Sequence, residues 1–132
     1  MNELTGVWRL VGARAWDDEG NELPPPYGPM PRGIVALEEN QQMMCVLADG
    51  RSEVRAQPGS DEVREYVSYM GRYTFSDNIL STRVEGSTDA SRVGSDQVRE
   101  VRFDGERLFL KPPPRAKYGV TEHRELEWQK MS

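Results

Sequence analysis

The chain holds a single cysteine, Cys45, and a single histidine, His123, in 132 residues. One thiol excludes an intramolecular disulfide and a cysteine-built zinc site. With one imidazole as well, a tight transition-metal site lacks donors. Large apolar residues are scarce: Leu, Ile, Val and Phe together make 26 residues, with only two Ile and three Phe. That share borders on the range of chains that do not fold, so folding must come from how these residues are arranged. No apolar run approaches the roughly 20 residues of a membrane span. Positive charge is not in excess: 17 Lys and Arg face 22 Asp and Glu, for a net charge of −5 and a pI near 5.0. This balance argues against a nucleic-acid or anionic-membrane partner, both of which need clustered cations. No glycine-rich phosphate loop is present. Met1-Asn2-Glu3-Leu4 is neither basic nor apolar enough for a signal peptide, so a soluble, reducing, cytoplasmic setting is expected.

What the chain does have is a succession of short β-patterned segments. Gly6–Ala15, Gly33–Glu38, Gln41–Ala48, Tyr66–Phe75, Ile79–Glu85, Gln97–Phe103, Arg107–Lys111 and Val120–Gln129 read as strands. Turn compositions separate several of them: Glu39-Asn40, Ser76-Asp77-Asn78, and Asp104-Gly105, one of the strongest hairpin signals. Pro24-Pro25-Pro26-Tyr27-Gly28-Pro29-Met30-Pro31 is a stiff extended loop, and Pro112-Pro113-Pro114 ends a strand. One short helix is expected over Pro58–Glu65, with Ser60 as its cap and Asp61 and Glu62 in its first turn. About eight short strands at even spacing predict an all-β fold, an antiparallel barrel or sandwich. A barrel leaves no strand edge unpaired.

Several segments, in order, resemble one known family. Gly6-Val7-Trp8 resembles the G-x-W start of lipocalin-like barrels, and Tyr27-Gly28, Pro31 and Gly33-Ile34 resemble the approach to their second strand. Tyr69-Met70-Gly71-Arg72-Tyr73 is similar to a Y-S-G-x-Y strand. Arg99 with Asp104-Gly105 and Leu108 is similar to a hairpin of the same group, and Leu126-Glu127-Trp128 to its last strand. Together they resemble the bacterial and fungal lipocalin-like domain family over nearly the whole chain. The resemblance implies one eight-stranded antiparallel barrel domain over residues 1–132. Members of that family carry a His near the position of Ser81-Thr82-Arg83, where none stands here. The family includes ligand binders and cofactor-free cyclases and isomerases, and fold alone does not choose among these.

An eight-stranded barrel leaves room for side chains or for one small ligand. Alternation along each strand suggests which residues enter that space. Trp8 and Leu10 share a face, with Trp8 expected to plug the closed end as core. In the sixth strand Gln97, Arg99, Val101 and Phe103 oppose the charged set Glu100 and Arg102, so Arg99 points inward. A guanidinium there needs a partner: a carboxylate, a stack on Trp8, or an oxygen of a ligand. In the last strand Arg124, Leu126 and Trp128 share a face, while His123 lies with Glu125 and Glu127 and is expected in solvent. Arg124 is either a second cation at the barrel mouth or half of a surface ion pair. Tyr69 and Tyr73 bring hydroxyls on apolar bodies, and Thr82 can hydrogen-bond but cannot act as a base near neutral pH. The third strand is apolar on both faces from Met43 to Leu47. Its outside is therefore expected to be covered by the short helix or by a second copy in a homodimer, and Met44 is a candidate pocket wall. Cys45 reads as an inert small hydrophobe.

These residues set the functional expectation. Arg99, Tyr73, Tyr69, Thr82, Gln97, Met44, Arg124 and Trp8 form the candidate ligand site, with no metal and no cofactor. The partner is a small, largely apolar molecule with a carbonyl or anionic group. Three uses remain open at this point: carriage of that molecule, a cofactor-independent cyclisation, isomerisation or elimination on it, or a packed barrel used as an interaction module.

Overall fold

The computed structural model describes residues 3–51 and 65–131. Its strands are β1 (Gly6–Trp16), β2 (Glu22–Leu23), β3 (Pro31–Leu37), β4 (Gln42–Asp49), β5 (Tyr66–Ser76), β6 (Ile79–Ser87), β7 (Asp96–Asp104), β8 (Arg107–Lys111), β9 (Arg115–Lys117) and β10 (Val120–Lys130). All pairings are antiparallel between chain neighbours in the order β1-β3-β4-β5-β6-β7-β8-β10, and β1 then pairs with β10 to close an eight-stranded barrel. The two short strands are flaps: β2 extends β1 at Ala15 and Trp16, and β9 extends the start of β10. All eight strands expected from the sequence are present, and β2, β9 and a single turn of 3₁₀ helix at Ala90–Arg92 are additional. The expected helix over Pro58–Glu65 falls, apart from Glu65, outside the described residues. Among the described residues no helix is long and apolar enough to cross a membrane.

Alternation decides what enters the barrel, and two bulges modify it. The register of β1 against β10 shifts between Leu10 and Gly12, so the inward set passes from Trp8 and Leu10 to Ala13 and Ala15. A second shift lies between Met70 and Gly71 on β5. Gly71 is needed there, because a Cβ would overlap the carbonyl oxygen of Arg83. One end of the barrel is sealed. Leu4 and Trp8 are buried there, with the Trp8 indole donating to Leu4 O at 2.9 Å. Trp8 packs on Phe103, and Phe103 meets Phe75 edge-on at 6.4 Å between centroids. Tyr73 belongs to this packed region, its hydroxyl donating to Glu38 O at 2.8 Å.

The opposite end is open, and proline is the reason. β8 stops at Lys111, after which Pro112–Pro114 offer no N–H groups to β7 or β10. The loop 24–31 folds over this rim. Tyr27 is buried in a left-handed conformation (φ 64°), strained for a bulky side chain. The following Gly28 (φ 73°) lies where a Cβ would meet the Asp49 carboxylate at 2.7 Å. Asp49 is itself buried and ion-paired to Arg51 at 2.7 Å. This base holds Tyr27 over the barrel opening.

Candidate functional site: a cationic neck inside the barrel

The open end is a cavity of about 400 Å³ that leads to a deeper chamber of about 50 Å³. The larger volume lies within the range of small-molecule sites. Tyr27, Leu47, Tyr69, Arg99, Pro112 and Arg124 line both spaces and so form the neck between them. Below the neck the chamber is mostly apolar, with Val35, Met43, Leu80, Leu110, Leu126 and Trp128. Above it Val67, Val98 and Pro113 alternate with the polar residues Glu65, Arg92, Asp96, Gln97 and Arg115.

Arg99 is placed at this neck by β7. Its Nη1 donates to Val98 O at 2.8 Å. Gln97, with its amide oxygen turned toward the guanidiniums, accepts from Arg99 Nη2 at 2.8 Å and from Arg92 Nη1 at 3.2 Å. Both acceptors of Arg99 are neutral. Among the described residues no carboxylate lies within ion-pair distance of it, and it stacks on no ring, so neither the carboxylate nor the Trp8 stack is its partner. The cation over Trp8 is Lys130 instead. Burial holds the Arg99 guanidinium below its ordinary value, with the neighbouring Tyr69 acting in the other direction.

Arg124 enters from β10. It is 8% exposed, and its Nε donates to Glu122 Oε1 at 3.1 Å. Its ion pair with a glutamate is thus a buried one. Glu122 is 1% exposed and also accepts from Arg115 Nε at 2.9 Å. Burial pushes the Glu122 carboxyl up, but the Arg115 hydrogen bond and the Arg124 and Arg115 charges outweigh it and leave the group below its ordinary value. Among the described residues three buried side-chain atoms carry no hydrogen bond: Glu122 Oε2, Arg124 Nη2 and Trp128 Nε1.

Two phenols complete the neck. Tyr69 faces Cys45 directly across β4 and β5. Burial raises both phenols and pushes the Cys45 thiol up to about 12. Tyr27 and Tyr69 are therefore neutral donors at ordinary pH.

The sequence-derived candidates divide. Arg99, Tyr69, Gln97 and Arg124 line the cavity. Trp8, Tyr73 and Thr82 are buried but line neither space, being part of the packed interior. Met44 is a correction: it faces outward and is 59% exposed, because the inward residues of β4 are Met43, Cys45 and Leu47. His123 lies outside as expected, bonded to Asp18 at 2.7 Å and stacked on Trp16. Tyr27 and Glu122 were not anticipated. Tyr27 sits in a loop, where alternation gives no direction. Glu122 shares the parity of Arg124, and that spacing was the available signal.

Comparison with known proteins agrees with this architecture. No curated protein and no solved structure matches the chain. A family model described as the lipocalin-like domain matches residues 5–131, and its barrel is the one described above. The chain belongs to the lipocalin-like domain family.

Proposed function

We propose that the protein binds a small, largely apolar molecule bearing a carbonyl or anionic group inside the barrel. The observation that carries this reading is Arg99, a cation at the cavity neck whose hydrogen bonds go only to neutral acceptors. A half-buried guanidinium with only neutral partners gains most from an anionic or strongly polar oxygen. The apolar residues of the mouth, Leu47, Val67, Val98 and Pro113, and the family's barrel support an apolar body on the same molecule. The test is Arg99→Met, titrated with 1-anilinonaphthalene-8-sulfonate, an apolar anion that fluoresces when bound. Binding is expected to weaken by about 1.5–3 kcal/mol, the worth of a hydrogen bond to a charged group. Stability is expected to hold, since no carboxylate is left stranded. Equal binding by both proteins would end the proposal.

A catalytic use of the same site has a specific observation in its favour. Tyr27, Tyr69, Arg99 and Arg124 all present donors, and the two phenols stay protonated. Such a set stabilises developing negative charge on a carbonyl oxygen. A cofactor-independent isomerisation, cyclisation or elimination fits it. Turnover of a candidate carbonyl compound that is lost in Arg99→Met would favour this reading over carriage.

We further propose self-association through the outer face of β4. Ile34, Met44, Val46 and Met70 are exposed neighbours there by register. An apolar patch of this kind on a sheet is an interaction surface.

A further inference from the structure

We propose that the bound molecule is a monocarboxylate whose head group sits at the neck between Arg99 and Arg124, with Glu122 as the positioning residue that fixes Arg124 in the wall. This rests on the reading that the barrel interior binds a ligand, and it names the ligand's class.

Register puts the two cations at one level. Val101, Leu110 and Leu126 are lateral neighbours on β7, β8 and β10. Two residues further toward the opening on each segment stand Arg99, Pro112 and Arg124. Pro112 has no polar side chain and no N–H, so nothing between the two guanidiniums competes for an anion. Both guanidiniums also act electrostatically on the Tyr27 phenol over the neck.

The unspent hydrogen-bonding groups point to the same chemistry. Arg124 Nη2 lies 3.0 Å from Glu122 Oε1, but its hydrogens are not aimed at that oxygen, and the nitrogen is buried without a hydrogen bond. Trp128 Nε1 is likewise buried without an acceptor, and Trp128 lines the chamber. Buried donors left unmatched are costly, so the interior is built around an acceptor. The unspent acceptor, Glu122 Oε2, is turned away from the cavity: Glu122 lines neither space, and Oε2 is 4.0 Å from Lys117 Nζ.

Charge selects among acceptors. Arg115 and Arg124 share the single carboxylate of Glu122, and Arg99 has none, so the neck carries an excess of positive charge. A neutral carbonyl would leave that charge unmatched. A carboxylate supplies one charge on two coplanar oxygens, the geometry that a guanidinium fork grips. The chamber of about 50 Å³ has room for little more than a small group or one water at about 30 Å³, so the apolar body belongs in the wider mouth.

The experiment is calorimetric titration of the protein with three acids of different body size, 3-phenylpropionate, octanoate and decanoate, each beside its methyl ester and primary amide. The expected result is that the acid binds at least about tenfold more tightly than its neutral counterparts, in line with one charge-assisted hydrogen bond. Arg124→Gln should erase about tenfold of that preference, weakening the acid more than the ester. Because this variant strands Glu122, the paired variant Glu122→Gln/Arg124→Gln is measured beside it with a thermal melt, and the same loss is expected in a folded protein. Glu122→Gln alone should keep the preference, because its amide oxygen still accepts from Arg124 Nε, whereas Glu122→Ala should lose it. Esters that bind as tightly as their acids would overturn the carboxylate and leave interior binding standing. A preference untouched in both Arg124 variants would remove Arg124 from the site. Failure of every acid, ester and amide to bind would overturn both readings.

Discussion

Cys45 on β4 and Tyr69 on β5 are direct cross-strand partners, and both side chains line the interior chamber. Burial holds the thiol at about 12, so the folded protein keeps it neutral at pH 8. Ellman's reagent is expected to leave Cys45 unmodified in the native protein and to react at once in urea. Above pH 9 the unfolded chain ionises its thiol while the folded one cannot, so Cys45 contributes stability below about 9 that is lost as pH rises toward 12. Urea melts should show this alkaline slope diminished in Cys45→Ala. Rapid native labelling at pH 8 would contradict the buried pair.

Glu122 gives the opposite sign at the acid end. Its folded carboxyl lies below the ordinary 4.5, so its contribution is present above about 4.5 and is lost as pH falls through the folded value. Glu122→Gln should show a flatter loss of stability between pH 5 and pH 3. Glu122→Ala is harsher, since it leaves Arg124 buried and unpaired, and should cost about 3–5 kcal/mol at neutral pH. Identical acid melts for wild type and Glu122→Gln would show that the pair does not respond to pH.

Gly71 carries a steric prediction. A methyl group there would overlap the carbonyl of Arg83. Gly71→Ala should destabilise by about 3 kcal/mol, read as a fall in Tm of roughly 10 °C. Gly20, around which there is open space, is a poor control because of its positive φ, so Ser68→Ala on the same strand serves better. A Gly71→Ala melt matching wild type would place the bulge elsewhere.

The outer face of β4 is tested by charge. Met44→Lys/Met70→Lys should stay monomeric in sedimentation equilibrium at concentrations where wild type associates. A strictly monomeric wild type at high concentration would leave the exposed methionines without that role.

Fold and site were legible to different depths, for a physical reason. Alternation marks a strand with one dry face, and together with β-forming composition and turn signals such as Asp104-Gly105, which gave the five-residue β8, it identified all eight barrel strands. It could not find β2 or β9, which are too short to alternate. It also placed Arg99, Gln97 and Arg124 inward correctly, because their opposite faces are charged. It failed at Met44, where both faces of the strand are apolar and parity carries no information. It was silent on Tyr27, whose place over the opening depends on a left-handed backbone and on Asp49 from a distant strand. Nor can alternation say how deep an inward residue lies. Tyr73 and Thr82 are inward, yet they sit among packed side chains rather than along the cavity.

The β1–β10 pairing joins Leu10 to Trp128, partners more than a hundred residues apart. Loop-closure entropy makes such a seam slow to form. Leu126, Trp128, Arg124 and Glu122 all arrive with β10, so floor and neck come into being only when the seam zips. Partly folded chains therefore have no interior for a ligand to read. A ligand that binds inside acts as a clasp on the finished barrel, slowing its opening in proportion to occupancy. Hydrogen exchange along the seam is where that clasp would register first.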